Sequence, residues 1–252
     1  MPLSAMADTL QTLKTALNTF LEVCHGPLPR DYYVAQHWGM AGAHAFLVNG
    51  LISIYEQATD IPAEKTDDFV GYALQWTAAM HHHHYTEETA FFPMLSPKFD
   101  SSFVKDEHET FIPQIEALQE YLVSCLPSDA PYGHDSFAGT HEQQEYVGTR
   151  VLALIDAFVE DLCKHLVHEV ELMEPGKLRA TGLTEVEMKA IADEMLRYSK
   201  SMPLRMTTLL TYATLLSPKE TEFPPFPAFV RKYLVPHVLA FPHRRLWQFA
   251  PK

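Results

Sequence analysis

Two short stretches decide how this chain folds: His83-His84-Tyr85-Thr86-Glu87 and His165-Leu166-Val167-His168-Glu169. In each, a histidine is followed four residues later by a glutamate. Residues four apart share one face of a helix, so each stretch points an imidazole and a carboxylate the same way. Both lie on apolar stripes at helical spacing. The first runs Phe69, Tyr72, Trp76, Met80, His83, Glu87, Phe91, and the second Val151, Leu154, Phe158, Leu162, His165, Glu169, Leu172. A carboxylate on the buried face of a helix is costly unless a partner or a cation compensates it.

Working outward, two more stripes carry the same interruption. Met40, His44, Leu47, Val48, Leu51 and Tyr55 define a helix over Gln36–Gln57. Val104, His108, Phe111, Ile112, Ile115, Leu118 and Leu122 define another at about 101–124, with Pro113 expected to kink it. The helix holding His83 spans 67–92 and is closed by Pro93. The one holding His165 spans 142–174 and ends at Pro175-Gly176. An N-terminal helix over 5–24 stops at His25-Gly26-Pro27, and 127–139 is a loop rich in turn residues. Further helices are expected near 184–200 and 204–216, followed by a Pro- and aromatic-rich tail over 223–252. With ten glycines and no alternating strand pattern, the fold class is all-α: an antiparallel four-helix bundle with extra C-terminal helices. The division expected is a bundle over 1–178, with its N-terminal helix, and a helical extension over 179–252 packed on it.

The composition narrows the function. Hydrophobic residues make up 47% and charged residues 20% of 252, as in a globular protein. A net charge of −13 argues against nucleic acid and against an anionic membrane surface. Cys24, Cys125 and Cys163 have no CxxC spacing and read as small buried hydrophobes in a reducing compartment. There is no basic-then-apolar leader and no run of about 18 apolar residues, which makes the cytoplasm the expected location.

Fourteen histidines are an excess. His44, His83, His108 and His165, with Glu87 and Glu169, form an inward-facing set suited to a divalent metal. His81 should point away, and His84 and Glu88 lie one step round the helix as supporting groups. Glu107 and Glu109 are read as solvated, and His25, His134, His141, His237 and His243 as surface residues. Tyr55, Tyr72 and Trp76 are read as core.

Four elements in this order resemble the hemerythrin-like, or HHE cation-binding, family. They are His44 alone on one helix; His83 to Glu87 followed by Phe91-Phe92-Pro93; His108; and His165-Leu166-Val167-His168-Glu169. The resemblance covers roughly residues 36–175, and the tail, with its closing Trp247-Gln248-Phe249, is similar to fungal members. It implies that His44 and His83 serve one metal, that His108 and His165 serve another, and that Glu87 and Glu169 bridge them and are the candidate catalytic carboxylates. Two-iron members carry a second histidine four residues after the third-helix one, where this chain has Ile112. That implies an open coordination position or a single ion, and leans toward chemistry on a small-molecule substrate. The resemblance extends to cyclopenase-type enzymes of fungal secondary metabolism, zinc-dependent lyases that convert a cyclopenin-type benzodiazepinedione epoxide to a viridicatin-type quinolone. The alternative it implies is a di-iron protein that binds or senses oxygen. Imidazole and carboxylate suit both zinc and iron.

Overall fold

The computed structural model describes residues 3–128, 141–201 and 207–251. The 127–139 loop and His134 therefore lie mostly or wholly outside the described residues, as does the start of the 204–216 helix. Among the described residues there is no strand. The only extended pairing recorded is a bridge from His25 and Gly26 to Thr221.

Helix α1 (Leu3–Cys24) ends where Gly26 takes a left-handed φ of 74°, a conformation glycine adopts without steric cost. Helix α2 (Tyr32–Gln57) starts at Asp31, whose carboxylate accepts hydrogen bonds from the Tyr33 and Val34 N–H groups. From Trp38 to Tyr55 it is buried on nearly every side. It packs against α1, α3 and five later helices, so it is a central helix rather than a half-exposed one.

Helix α3 (Thr66–Thr86) runs into a π-helical turn (Glu87–Phe91) and then α4 (Phe92–Leu95). Pro93 was expected to close the helix, yet the chain continues one turn past it. Pro93 has no N–H for an α-type bond, and the preceding Phe92 N–H reaches back five residues to the Glu87 carbonyl. Helix α5 (Ser102–Ser124) runs through Pro113; the Glu109 carbonyl that loses its partner there belongs to an exposed residue.

The expected 142–174 helix is two. Helix α6 (Gly148–Asp156) and α7 (Val159–Leu172) are separated at Ala157 and Phe158. At the break the Asp156 carboxylate accepts from the Thr9 hydroxyl at 2.7 Å and the Tyr55 hydroxyl at 2.8 Å. Gly148 opens α6 against the end of α2, where an added Cβ would lie 2.0 Å from the Ala58 carbonyl oxygen.

Helices α2, α3, α5 and α7 contact one another in a closed ring, α2 to α3 to α5 to α7 and back to α2. After α8 (Pro175–Ala180), α9 (Glu185–Ser201) and α10 (Thr207–Leu216), the chain returns along α2 and α3. Asn49 donates to the Leu216 carbonyl at 2.8 Å, and Gln57 to that of Phe249 at 2.8 Å. Met188, Tyr212, Leu216, Leu246 and Phe249 join the same hydrophobic core as the ring. No helix among the described residues is long and apolar enough to cross a membrane.

Candidate metal centre

The ring of four helices encloses the inward histidines. Helix α2 brings His44; α3 brings His83 and His84; the π-helical turn brings Glu87 and Glu88; α5 brings Glu107 and His108; α7 brings His165 and Glu169. Their ligand atoms fall into two sets, each within 4.8 Å: His44, His83, Glu87 and Glu169 in one, and His84, His108 and His165 in the other. Glu169 joins them, with Oε2 3.4 Å from His44 Nε2 and 3.3 Å from His165 Nε2. Glu87 Oε1 is 3.2 Å from His83 Nε2. All six residues expected from the sequence are therefore brought together. Only the His83 side chain, at 12% exposure, has appreciable contact with solvent; the others are 4% or less.

In both sets two Nε2 atoms face each other, His44 to His83 at 3.0 Å and His108 to His165 at 3.1 Å. For three of these four rings the other nitrogen is held from outside. His44 Nδ1 donates to the Leu166 carbonyl at 3.0 Å, His108 Nδ1 to Glu88 at 2.6 Å and His165 Nδ1 to Glu107 at 2.8 Å. With Nδ1 protonated, a neutral ring presents a lone pair at Nε2. His44, His108 and His165 are thus turned to present Nε2 inward, and the 3.0 and 3.1 Å separations are close to the roughly 3.3 Å expected of two nitrogens ligating one tetrahedral zinc. Both oxygens of Glu87, both of Glu169 and both ring nitrogens of His84 are also buried with no hydrogen-bond partner. Such orphaned groups are costly, and metal ligation satisfies all of them. The residues fit the group.

Electrostatics agree. Burial lowers the pKa of His44, His83, His84 and His108, leaving them neutral and ready to ligate. Burial raises Glu87 well above the ordinary carboxyl range, and Glu169 and Glu88 raise it further. Burial acts upward on Glu169 too, but His165 and His44 outweigh it and hold this carboxyl well below that range. His165 is raised, because Glu169 and Glu107 overcome its burial.

Three expectations need correction. His84, read as a supporting group one step round, is 3% exposed and stands among the candidate ligands, its ring centroid 4.2 Å from that of His108. Its ring is the third imidazole of the second set, and Ile112, half-buried against the core, belongs to neither set. Glu107, read as solvated, bridges His165 Nδ1 and His168 Nδ1 at 2.8 Å each. Glu88 does hold His108, as a supporting carboxylate should. Exposed Glu109, His25, His237 and His243 and buried Tyr55, Tyr72 and Trp76 stand as read, whereas His141 is half-buried and bonds the Leu126 carbonyl at 2.7 Å. Glu107 and His168 also line a groove of about 800 Å³ between α1 and α7, with Thr12, Thr15, Thr19 and Lys164.

Fold and site together define an all-helical protein with buried His/Glu clusters able to hold metal ions. The chain is 24% identical over 224 residues to a dimeric xanthone biosynthesis cluster protein, R11, of Cryptosporiopsis sp. (strain 8999), a match covering 84% of this chain and 76% of the relative. No family model and no solved structure matches it.

Proposed function

We propose that the chain is a divalent-metal-dependent enzyme of fungal secondary metabolism, hemerythrin-like in architecture, in which His44, His83, Glu87 and Glu169 would hold one ion and His84, His108 and His165 a second. The carrying observation is the opposed Nε2 pair in each set beside carboxylates that have no other partner. The biosynthetic role is supported by the xanthone-cluster relative. The particular reaction is the zinc-dependent, cyclopenase-type lyase step implied by the family resemblance, acting on a small-molecule substrate. A groove of about 800 Å³ lies behind the centre, beside Glu107 and His168 and lined by none of the candidate ligands, so a substrate reaches the metal only when the helices part.

When bound, a divalent ion supplies Lewis acidity toward a substrate oxygen. The chain's own part is to hold neutral imidazoles in place through Leu166, Glu88 and Glu107 and to keep water from the centre by burial. Glu87 and Glu169 are the carboxylates nearest such a substrate oxygen, and they would hold the ion together with the imidazoles.

A second reading, a di-iron protein that binds or senses oxygen, is favoured by one observation. With His84 included, five imidazoles and two carboxylates converge, the complement that the resemblance assigns to two-iron members. Metal analysis of protein purified without added metal separates the two. Zinc in a colourless protein supports the lyase, and iron with an oxygen-dependent charge-transfer band supports the carrier. Both require about two ions per chain. His84→Ala is expected to reduce the content from two ions to one, and Ile112→His to leave it at two. A wild type saturating at one ion would defeat the two-ion centre.

A further inference from the structure

The acidic balance of the chain is unevenly spread. Residues 223–252 contain no aspartate or glutamate but hold Arg231, Lys232, Arg244, Arg245 and Lys252, while the rest carries all 32 acidic residues. Within this stretch a π-helical segment (Val230–Leu239) leads to a short helix, α11 (Arg244–Trp247). One side faces the body: Val235, Ala240 and Leu246 are buried, Arg231 pairs with Glu222 at 2.7 Å, and Arg245 lies 3.7 Å from Asp68.

The other side is apolar and cationic together. Phe229, Tyr233, Val238 and Phe241 are 58–66% exposed, four of the nine exposed large apolar side chains among the described residues. In a helix bonded at five-residue intervals, positions four to five apart share a face, which aligns Phe229, Tyr233 and Val238. The rings of Phe229 and Tyr233 are stacked with centroids 6.0 Å apart, and the Arg244 guanidinium lies 4.8 Å over the Phe241 ring. Lys232 and Arg244 are exposed and make no ion pair among the described residues.

We propose that the outer face of residues 229–244 is a docking surface for an anionic phospholipid membrane, with Phe229, Tyr233, Val238 and Phe241 entering the interfacial layer and Lys232 and Arg244 meeting lipid phosphates. Aromatic side chains flanked by cations, without acids, are what such an interface selects. A second copy of the chain is the weaker complement. It offers acidic surface, but of the exposed apolar residues described outside the tail, Leu28, Tyr85 and Val147 lie on separate segments and Val186 and Leu196 ten residues apart on α9, which presents no patch to match. The net charge of −13 then orients the molecule, turning its acidic body away from the bilayer.

The test is flotation of the full-length protein with phosphatidylcholine vesicles, with and without phosphatidylserine. Binding to the anionic vesicles should exceed that to the neutral ones by about ten-fold at low salt and fall as salt rises. Phe229→Ser with Phe241→Ser, and separately Lys232→Glu with Arg244→Glu, should each reduce binding about ten-fold. Metal content should be unchanged in both, since these positions are remote from the centre in the fold. Absence of vesicle binding, binding indifferent to salt, or a dimer in light scattering that the same substitutions dissociate would each overturn the proposal.

Discussion

Glu87 and Glu169 are both fully buried carboxylates, yet they are pushed in opposite directions. Glu169 has His44 and His165 within 3.4 Å, and they hold it ionised. Glu87 feels burial first and then the repulsion of Glu169 and Glu88, and its pKa rises. In the metal-free protein this has a signed consequence. Above the ordinary carboxyl pKa of 4.5 the unfolded chain releases the Glu87 proton while the folded one keeps it, so this residue's contribution to stability falls as pH rises toward the raised value. Glu87→Gln removes that titration. The metal-free variant is expected to melt several degrees above metal-free wild type at pH 7.5 and to lose the advantage below about pH 4.5. With metal present the order reverses, because a ligand is gone. Melting curves of both proteins with and without metal, across pH, check this; a metal-free variant less stable throughout would count against a strained Glu87.

The residue scale also shows where reading the sequence falls short. The six stripe residues were legible because each interrupts an apolar period. His84 was not, because a stripe assumes one inward seam. Helix α3 instead packs against α2 on one side and α5 on the other, so His83 and His84 turn to different neighbours and both end up inside. Glu107 was missed for the opposite reason: a helical glutamate beside other acids carries no local sign that His165 and His168 will meet it from another helix.

At the scale of elements, the helices carrying the site were legible, whereas their interruptions, α8 and the helical segments of the tail were not. The break between α6 and α7 is fixed by Thr9 and Tyr55 reaching Asp156 from far along the chain, which no local pattern encodes. The π-helical turn at Glu87 did have a local sign in Pro93, but proline reads equally well as a terminator. Gly148 shows how tightly the elements meet. A methyl group there would overlap the Ala58 carbonyl, so Gly148→Ala must push α6 off the end of α2. The expected cost is about 1–3 kcal/mol, as for overpacking elsewhere, a fall of several degrees in Tm for a chain of this size. An unchanged Tm would mean that the two helices can part there freely. Metal content should survive, since the centre lies further along the ring.

At the scale of the molecule, the tail is part of the architecture. Residues Gly42 and Gly50 of α2 let Phe223, Tyr212 and Leu216 approach the helix backbone; a Cβ at either glycine would come within 2.5 Å of a side chain from the C-terminal region. The ring of helices is thereby wrapped from outside as well as closed on itself. Burial of the centre then bears on time as well as affinity. An ion whose ligands are almost wholly sealed, with His83 alone near the surface, can be exchanged only when the helices transiently separate. Release to a chelator should therefore proceed at a rate that levels off as chelator is increased, set by how often the protein breathes. Gly148→Ala, by loosening one corner, should quicken it. A rate rising linearly with chelator to the highest concentrations would instead mark a centre standing open. An ion held this way would be retained through dilution and scarcity long after equilibrium alone would have it lost, a kinetic possession rather than a bound equilibrium partner.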